Sequence, residues 1–129
     1  MKKTLSIVLV LTFFVSLLTF NSCKKTDSSA DVNPEMIVGR WCTSDEGHYE
    51  VYYSDGSGKM WDPADDVTED EATEFTWEID ENKKLTQYIQ FEGGQAVIPQ
   101  YCNILILNET TFKYNNDGWR AEYTLTRVE

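Results

Sequence analysis

The side chains that could do chemistry in this chain are one histidine, three cysteines and a large excess of carboxylates. His48 is the single histidine, and neither a Gly-x-Ser-x-Gly nucleophile elbow nor a Cys-His pair with supporting context accompanies it. A catalytic site needs a nucleophile, a base and a group that orients the base, and the sequence offers no such set. We therefore predict that the protein is not an enzyme and that it uses no cofactor.

Cys23 stands at the end of a segment that is typical of a secretion signal. Two lysines follow the initiator methionine, an uncharged apolar stretch runs from Leu5 to Phe20, and Ser22 lies directly before Cys23. The stretch is shorter than the ~20 apolar residues that a membrane-spanning helix needs, which favours a removable signal. Lipoprotein processing requires a small residue before a cysteine, whose sulfur receives a lipid before cleavage. We predict a signal peptide over residues 1–22 and lipidation of Cys23.

The Ser-Cys pair followed by lysines resembles the signals of lipoproteins from the Bacteroidota. The resemblance implies a mature cysteine that carries acyl chains such as palmitate and anchors the protein stably in the outer membrane of the cell envelope. Surface display in that phylum resembles a signal of acidic residues directly after the cysteine, whereas Lys24 and Lys25 come first here. The sequence leaves the periplasmic and the surface face of the membrane both open.

The remainder of the chain is long enough for one compact domain. Residues 23–34 have almost no apolar content and are predicted to form a flexible tether, and the domain follows over residues 35–129. The chain carries 22 acidic and 11 basic residues. So acidic a surface repels phosphate backbones, and we predict no nucleic-acid partner.

Cys42 and Cys102 are the cysteines of the mature domain, in a compartment where disulfides persist. Neither has a Cys or His neighbour at metal-ligand spacing. They also lack the Cys-x-x-Cys spacing that is usual for a redox pair. A structural disulfide between them and two buried free thiols both remain open.

Acidic side chains crowd the segment from Asp62 to Glu74. Hard cations such as Ca²⁺ take clustered carboxylates, but the spacing here does not follow the EF-hand series. Thr68 and Glu71 have instead the spacing of a capping box, which predicts one short helical turn. We interpret the segment as a solvated acidic loop and predict no metal site.

Short β-segments divided by turn residues fill the domain. The clearest segment, Thr73 to Asp80, alternates between apolar and polar residues and has Phe75 and Trp77 on its apolar face. Pro99 interrupts a later β-segment, and a proline at such a place indicates a bulge, an edge or a break between strands. About eight short strands at even spacing predict an all-β fold, either an antiparallel barrel or a sandwich.

The sequence Gly39-Arg40-Trp41 opens the first β-segment, and Arg127 lies near the end of the last. This arrangement resembles the lipocalins, in which Gly-x-Trp starts the first strand and a late arginine packs over that tryptophan. The Ser-Asp-Gly-Ser-Gly hairpin, the acidic stretch before Phe-Thr-Trp and the final Tyr-Thr-Leu strand resemble the small lipocalin-like domains of Bacteroidota lipoproteins. The resemblance implies a small up-and-down barrel of about eight strands, closed by Trp41 and Arg127.

Side chains that face the interior of such a barrel either pack the core or contact a ligand. We expect most apolar ones to pack the core, whereas Gln87 and Asn103 are better site markers because a buried amide must find a partner. The candidate ligand-lining residues are Tyr52, Trp77, Gln87, Asn103 and Tyr123.

Two functions fit this reading of the sequence. In the first, the barrel binds a small hydrophobic or amphipathic molecule inside the cell envelope. In the second, a ligand-free barrel serves as an accessory or adhesion module and contacts envelope proteins or glycans through its rim. Trp61, next to the acidic loop, is either a rim contact or a cap on the end of the barrel. The volume of the interior cavity distinguishes the two functions, since a closed core without a pocket the size of a small ligand would exclude the first.

Replacement of Cys23 by alanine tests the predicted lipid anchor. In its own host, the wild-type chain should incorporate an alkyne-tagged palmitate and sediment with the membranes, because the Cys23 sulfur and amine accept the acyl chains. The Cys23→Ala chain should do neither, and Cys42→Ala is the matched control that should label like the wild type. Undiminished labelling of Cys23→Ala would contradict the prediction.

Overall fold

The computed structural model describes residues 32–91, 93–94, 96–118 and 121–128. The predicted signal, Cys23 and most of the predicted tether lie outside these residues. Within the described residues, no helix is long and apolar enough to cross a membrane.

Eight antiparallel strands form a closed barrel in which each strand pairs with its neighbours in sequence and the last returns to the first. The predicted all-β class and up-and-down barrel are therefore confirmed. Closure pairs the first and last strands and so removes the open edges that a flat sheet would have. The strands are β1 (Gly39–Cys42), β2 (Tyr49–Tyr52), β3 (Ser57–Trp61), β4 (Thr73–Ile79), β5 (Lys84–Gln90), β6 (Val97–Leu107), β7 (Thr111–Asn116) and β8 (Glu122–Val128).

Aromatic and aliphatic side chains from alternate strand positions fill the middle of the barrel. Tyr52, Phe112 and Leu125 are at most 1% exposed. The ring of Tyr52 stands edge-on to the rings of Phe75, Trp77 and Phe112, with centroids 5.3, 5.7 and 5.8 Å away. Such pairs add about 0.5–1.5 kcal/mol each to the stability that their burial provides. The barrel is thus a packed core over most of its length.

A short 3₁₀ helix, Pro34–Ile37, closes one end of the barrel. Asn33 caps this helix, since its side chain accepts a hydrogen bond from the backbone N–H of Glu35 at 3.0 Å. Trp41 is fully buried beneath it, and its indole Nε1 donates to the carbonyl oxygen of Ile37 at 2.7 Å. We call this the closed end, and the end that carries the loops after β1, β3, β5 and β7 the open end.

Arg127 stabilises the closed end through contacts with Trp41 and with backbone carbonyl groups. Its Cζ lies 4.2 Å from the centre of the Trp41 ring, a cation–π contact. Its guanidinium donates to the backbone carbonyl oxygens of Met36, Val38 and Glu109 at 2.6, 2.9 and 2.7 Å. A planar fork of five N–H donors suits this task, because it reaches several acceptors while one face stacks on the indole.

Gly39, the glycine of the Gly-x-Trp pattern, has a steric reason to be glycine. Its φ is +141°, and a Cβ built there would lie 2.2 Å from Nη1 of Arg127. Any side chain at this position would strain the backbone and displace the guanidinium. Gly39 therefore leaves room for the guanidinium of Arg127, which packs over Trp41 two residues further along β1.

Pro99 lies inside β6 and does not divide it into two strands. The register places Pro99 opposite Tyr88 of β5, whereas β7 pairs with β6 only from Cys102 onward. Pro99 thus occupies a part of β6 with a ladder partner on one side, where its missing N–H breaks no ladder. Of the alternatives that the sequence left open, the edge is the one observed.

Replacement of Arg127 by lysine should destabilise the protein, because one ammonium cannot reach three carbonyl oxygens and stack on Trp41 at once. We expect a loss of about 1–3 kcal/mol in the free energy of unfolding, measured by urea denaturation. Arg40→Lys is the matched control, since Arg40 pairs with Glu69 on the surface and the change should cost less than about 1 kcal/mol. Equal losses in the two variants would contradict the closing role of Arg127.

Candidate functional site

Glu50 places a carboxylate inside the barrel, where it is 1% exposed. Because side chains alternate along a strand, Glu50 and Tyr52 of β2 both face inward. The hydroxyl of Tyr52 donates to Oε2 of Glu50 at 2.6 Å, and the hydroxyl of Tyr114 donates to Oε1. A buried carboxylate is strongly destabilising without such donors. The hydroxyls of the two tyrosines therefore offset part of the free-energy cost of burying the Glu50 carboxylate.

His48 is the third partner of Glu50 and connects it to Asp62. Its Nε2 lies 2.9 Å from Oε1 of Glu50, and its Nδ1 lies 2.6 Å from Oδ1 of Asp62. Burial lowers the pKa of His48, but the hydrogen bonds and charges of Glu50 and Asp62 outweigh burial and raise that pKa to about 9. His48 is therefore an imidazolium at neutral pH, with both ring nitrogens donating.

Gln87 extends this network across the barrel. It is fully buried, and its Nε2 donates to the hydroxyl of Tyr52 at 2.7 Å. The thiol of Cys102 lies 3.9 Å from Oε1 of Gln87, and burial above all raises the pKa of that thiol to about 12. Among the described residues, every buried side-chain nitrogen and oxygen has a hydrogen-bond partner. The polar network is thus internally satisfied.

A cleft of about 230 Å³ opens beside the network at the open end. Tyr123 forms one wall, with its ring stacked on Tyr114 at 5.2 Å and 6.0 Å from the imidazole of His48. The cleft brings together side chains of six strands and of the loops next to β2 and β3. Its lining residues are His48, Glu50, Met60, Asp62, Gln87, Gln100, Tyr114 and Tyr123.

The structure brings some of the predicted ligand-lining residues to this cleft. Gln87 and Tyr123 line it. Tyr52 lies below it, buried in the core, and contributes through its hydrogen bond to Glu50. Trp77 does not line the cleft; its ring packs on Tyr52, and its Nε1 donates to the carbonyl oxygen of Ser57 at 2.9 Å.

Asn103 faces the outside of the barrel, so the prediction that it lines a ligand site is wrong. The residues on either side of it, Cys102 and Ile104, point into the core. Its Nδ2 donates to Oδ1 of Asn115 on the neighbouring strand at 2.9 Å. Asn103 therefore stabilises the outer surface of the sheet.

A β-bulge explains this error. Counting back from the buried Leu107 in steps of two places Leu105 and Asn103 on the inward face. The register of β6 against β7 shifts between Ile104 and Ile106, because the bulge inserts one extra residue. Leu105 is accordingly 45% exposed. Because of the bulge, Asn103 faces the opposite side of the sheet from the one that counting back from Leu107 predicts.

The two cysteines of the domain are free thiols. Cys102 faces the interior, whereas Cys42 follows the inward-facing Trp41 and so faces outward. The two side chains lie on opposite surfaces of the barrel wall, which rules out the disulfide alternative. Of the two free thiols, Cys102 is the one that is fully buried.

The acidic loop folds onto the outer surface of the barrel. The capping box is confirmed, since Thr68 and Glu71 exchange the expected hydrogen bonds at the start of the 3₁₀ helix Glu69–Glu71. Glu69 pairs with Arg40 at 2.8 Å and with Lys59 at 2.6 Å. No group of three or more His, Cys, Asp or Glu arranged to hold a metal ion occurs in the described part of the chain.

Trp61 lies beneath these ion pairs and is not a rim contact. It is 5% exposed and stacks on Tyr49 with ring centres 5.0 Å apart. The cationic ends of Arg40 and Lys59 lie 5.3 and 5.8 Å from its ring centre. Because so little of the indole is exposed, Trp61 cannot contact a partner at the rim, and that prediction is wrong.

Sequence reasoning missed the pairing of His48, Glu50 and Asp62. Two signals could have found it. His48, Glu50 and Tyr52 recur at every second position and so share the inward face of β2. The β2–β3 hairpin pairs Tyr49 with Trp61, so the next residues outward from the turn, His48 and Asp62, face each other.

The fold and the site together define a class of protein, a small up-and-down barrel with a polar cleft at its open end. No known protein family, curated protein or solved structure matches the chain. The function must therefore be argued from the cleft and its chemistry.

The stability of the protein should decrease as the pH rises through about 9. His48 has a pKa of about 9 in the folded chain against 6.5 for the ordinary group, so its stabilising charge is fully present below pH 6.5 and lost above 9. We expect a loss on the order of 3 kcal/mol across this window by urea denaturation. The difference between wild type and His48→Gln isolates this loss from ionisation of Cys102. Parallel profiles for the two proteins would contradict the charged state of His48.

Proposed function

We propose that the protein is a lipid-anchored component of a bacterial cell envelope, and that its lipocalin-like barrel binds a small amphipathic ligand in the cleft at the open end. The cleft is the observation that supports this function most directly. Polar groups of Glu50 and Gln87 form one part of its lining, and Met60 and Tyr123 form another. Ligand sites typically combine apolar walls with a few placed polar groups in this way.

The size of the cleft limits the ligand. A volume of about 230 Å³ gives room for on the order of ten non-hydrogen atoms, given about 30 Å³ per water molecule. Below the cleft, Tyr52, Phe112 and Leu125 fill the barrel. A long acyl chain finds no space there, which favours a short amphipathic molecule over a wholly hydrophobic one.

The polar network itself supports a binding function. Buried charged pairs of the kind that His48 and Glu50 form are often no more stabilising than well-packed apolar side chains of the same volume. Perturbed titratable groups that meet in a cleft are typical of functional sites. The barrel retains this network at the open end, where it borders the cleft, and packs its remaining interior with apolar side chains.

The position of the proposed anchor suits ligand access. Val32 and Met36 pack against the core at the closed end, so the tether from Cys23 reaches the barrel on the side opposite the cleft. An anchor at Cys23 therefore attaches the barrel through its closed end and does not obstruct the mouth of the cleft.

A second candidate is the accessory module that contacts a partner through its rim. A groove of about 630 Å³ favours it. The groove lies between the residues around the start of β4 and the turn after β5, where Phe91 is 52% exposed. Its lining residues are Glu71, Ala72, Thr73, Glu74, Gln90, Phe91 and Gly94.

Native mass spectrometry of the protein purified from its own host tests the proposed function. The wild type should carry a small-molecule adduct, and Gln100→Trp should lose it because the indole fills the cleft. Thr124→Trp is the matched control, since Thr124 lies on the exposed face of β8, and it should keep the adduct. Absence of an adduct from the wild type would overturn ligand binding, and a co-purified protein retained by Gln100→Trp would favour the rim function.

A further inference from the structure

We infer that the ligand of the cleft carries a positive charge, as an ammonium or guanidinium group attached to a short apolar body. This inference rests on the proposed function and names the chemical class of the ligand. Three features of the lining support it, namely its charge, its unused acceptors and its aromatic rings.

The cleft has an excess of negative charge. Its lining contains two carboxylates, Glu50 and Asp62, and one basic side chain, His48. With His48 protonated the lining keeps one net negative charge, and with His48 neutral it keeps two. The sign is therefore the same in either protonation state. In a partly desolvated cleft such a charge acts on a ligand more strongly than it would in water.

The lining also has hydrogen-bond acceptors to spare. The carboxylate of Asp62 is 47% exposed, and among the described residues only its Oδ1 accepts a side-chain hydrogen bond. The other oxygen of this carboxylate, Oδ2, can therefore accept hydrogen bonds from an ammonium, and so can the second lone pair of Oδ1. Gln87 is fully buried and lies too deep to contribute an acceptor. Glu50, whose oxygens already have three donors, contributes its charge.

An anion has no comparable place in the cleft. Among the described residues of the lining, His48 is the one cationic side chain, and both of its ring nitrogens are engaged by Glu50 and Asp62. The hydroxyl of Tyr114 likewise donates to Glu50. An anionic ligand would have to break these bonds and then lie beside two carboxylates.

The walls of the cleft suit the rest of such a ligand. Tyr123 is partly exposed, and its ring stacks on the buried Tyr114; a cation near the aromatic face of Tyr123 is attracted to it. The thioether of Met60 is flexible and polarisable, so it can pack against an apolar body of varying shape. A primary amine on a short alkyl chain matches both the volume and the lining.

Titrations followed by ¹H–¹⁵N NMR with three probes of similar length test the charge of the ligand. The probes are n-pentylamine, n-pentanol and pentanoate at neutral pH. Pentylamine should shift the amide resonances of cleft residues such as Asp62 and Tyr123, and it should bind at least about tenfold more tightly than the other two. Asp62→Asn should weaken pentylamine about fivefold or more. Asp65→Asn, an exposed acid of the same loop outside the cleft lining, is the matched control and should bind like the wild type.

The outcomes separate this inference from the function on which it rests. Equal or tighter binding of pentanol or pentanoate in the cleft would overturn the cationic ligand while the amphipathic-ligand function stands. Unchanged pentylamine affinity in an Asp62→Asn protein that keeps the wild-type spectrum would also overturn it. If none of the three probes shifts a cleft resonance, the proposed ligand-binding function fails as well.

Discussion

A carboxylate buried inside a small barrel must be held by hydrogen bonds and an opposite charge, and the open end of this protein is organised around that requirement. Glu50 receives hydrogen bonds from Tyr52 and Tyr114 and pairs with His48. His48 in turn needs Asp62, which follows the last residue of β3. The registers of β2, β3 and β7 must therefore all be correct before the carboxylate is satisfied. Loss of any one partner leaves part of a buried charge uncompensated.

The two ends of the barrel are held together by different interactions. At the closed end, the guanidinium of Arg127 binds backbone carbonyls and stacks on Trp41, and this ties the N-terminal 3₁₀ helix to the last strand. The middle is a packed aromatic core. The open end keeps a charged network, although buried ion pairs are often no more stabilising than well-packed apolar side chains of equal volume. Rigid packing at one end and a polar cleft at the other is the arrangement that a binding site on a preformed scaffold requires.

The sequence predicts the strands well because their signals are local, whereas the choice of a barrel over a sandwich depends on the resemblance to lipocalins. Alternation in β4, the turn residues between strands and the inward position of Arg127 each follow from a few adjacent residues. The outward position of Asn103 could not be predicted, since the bulge between Ile104 and Ile106 leaves no mark in the alternation of apolar residues. The cleft depends on contacts between residues far apart in sequence, such as Tyr114 and Glu50, which only barrel closure brings together.

The protonation state of His48 tests the central claim, that a charged network occupies the open end, most directly. As the only histidine in the chain, it can be followed without ambiguity by ¹H–¹⁵N and ¹H–¹³C NMR of the imidazole ring between pH 5 and pH 10. Both ring nitrogens should carry protons at neutral pH, and the ring should titrate with a pKa of about 9. A titration midpoint at or below the ordinary value of 6.5 would show that Glu50 and Asp62 do not hold an imidazolium, and would contradict the account.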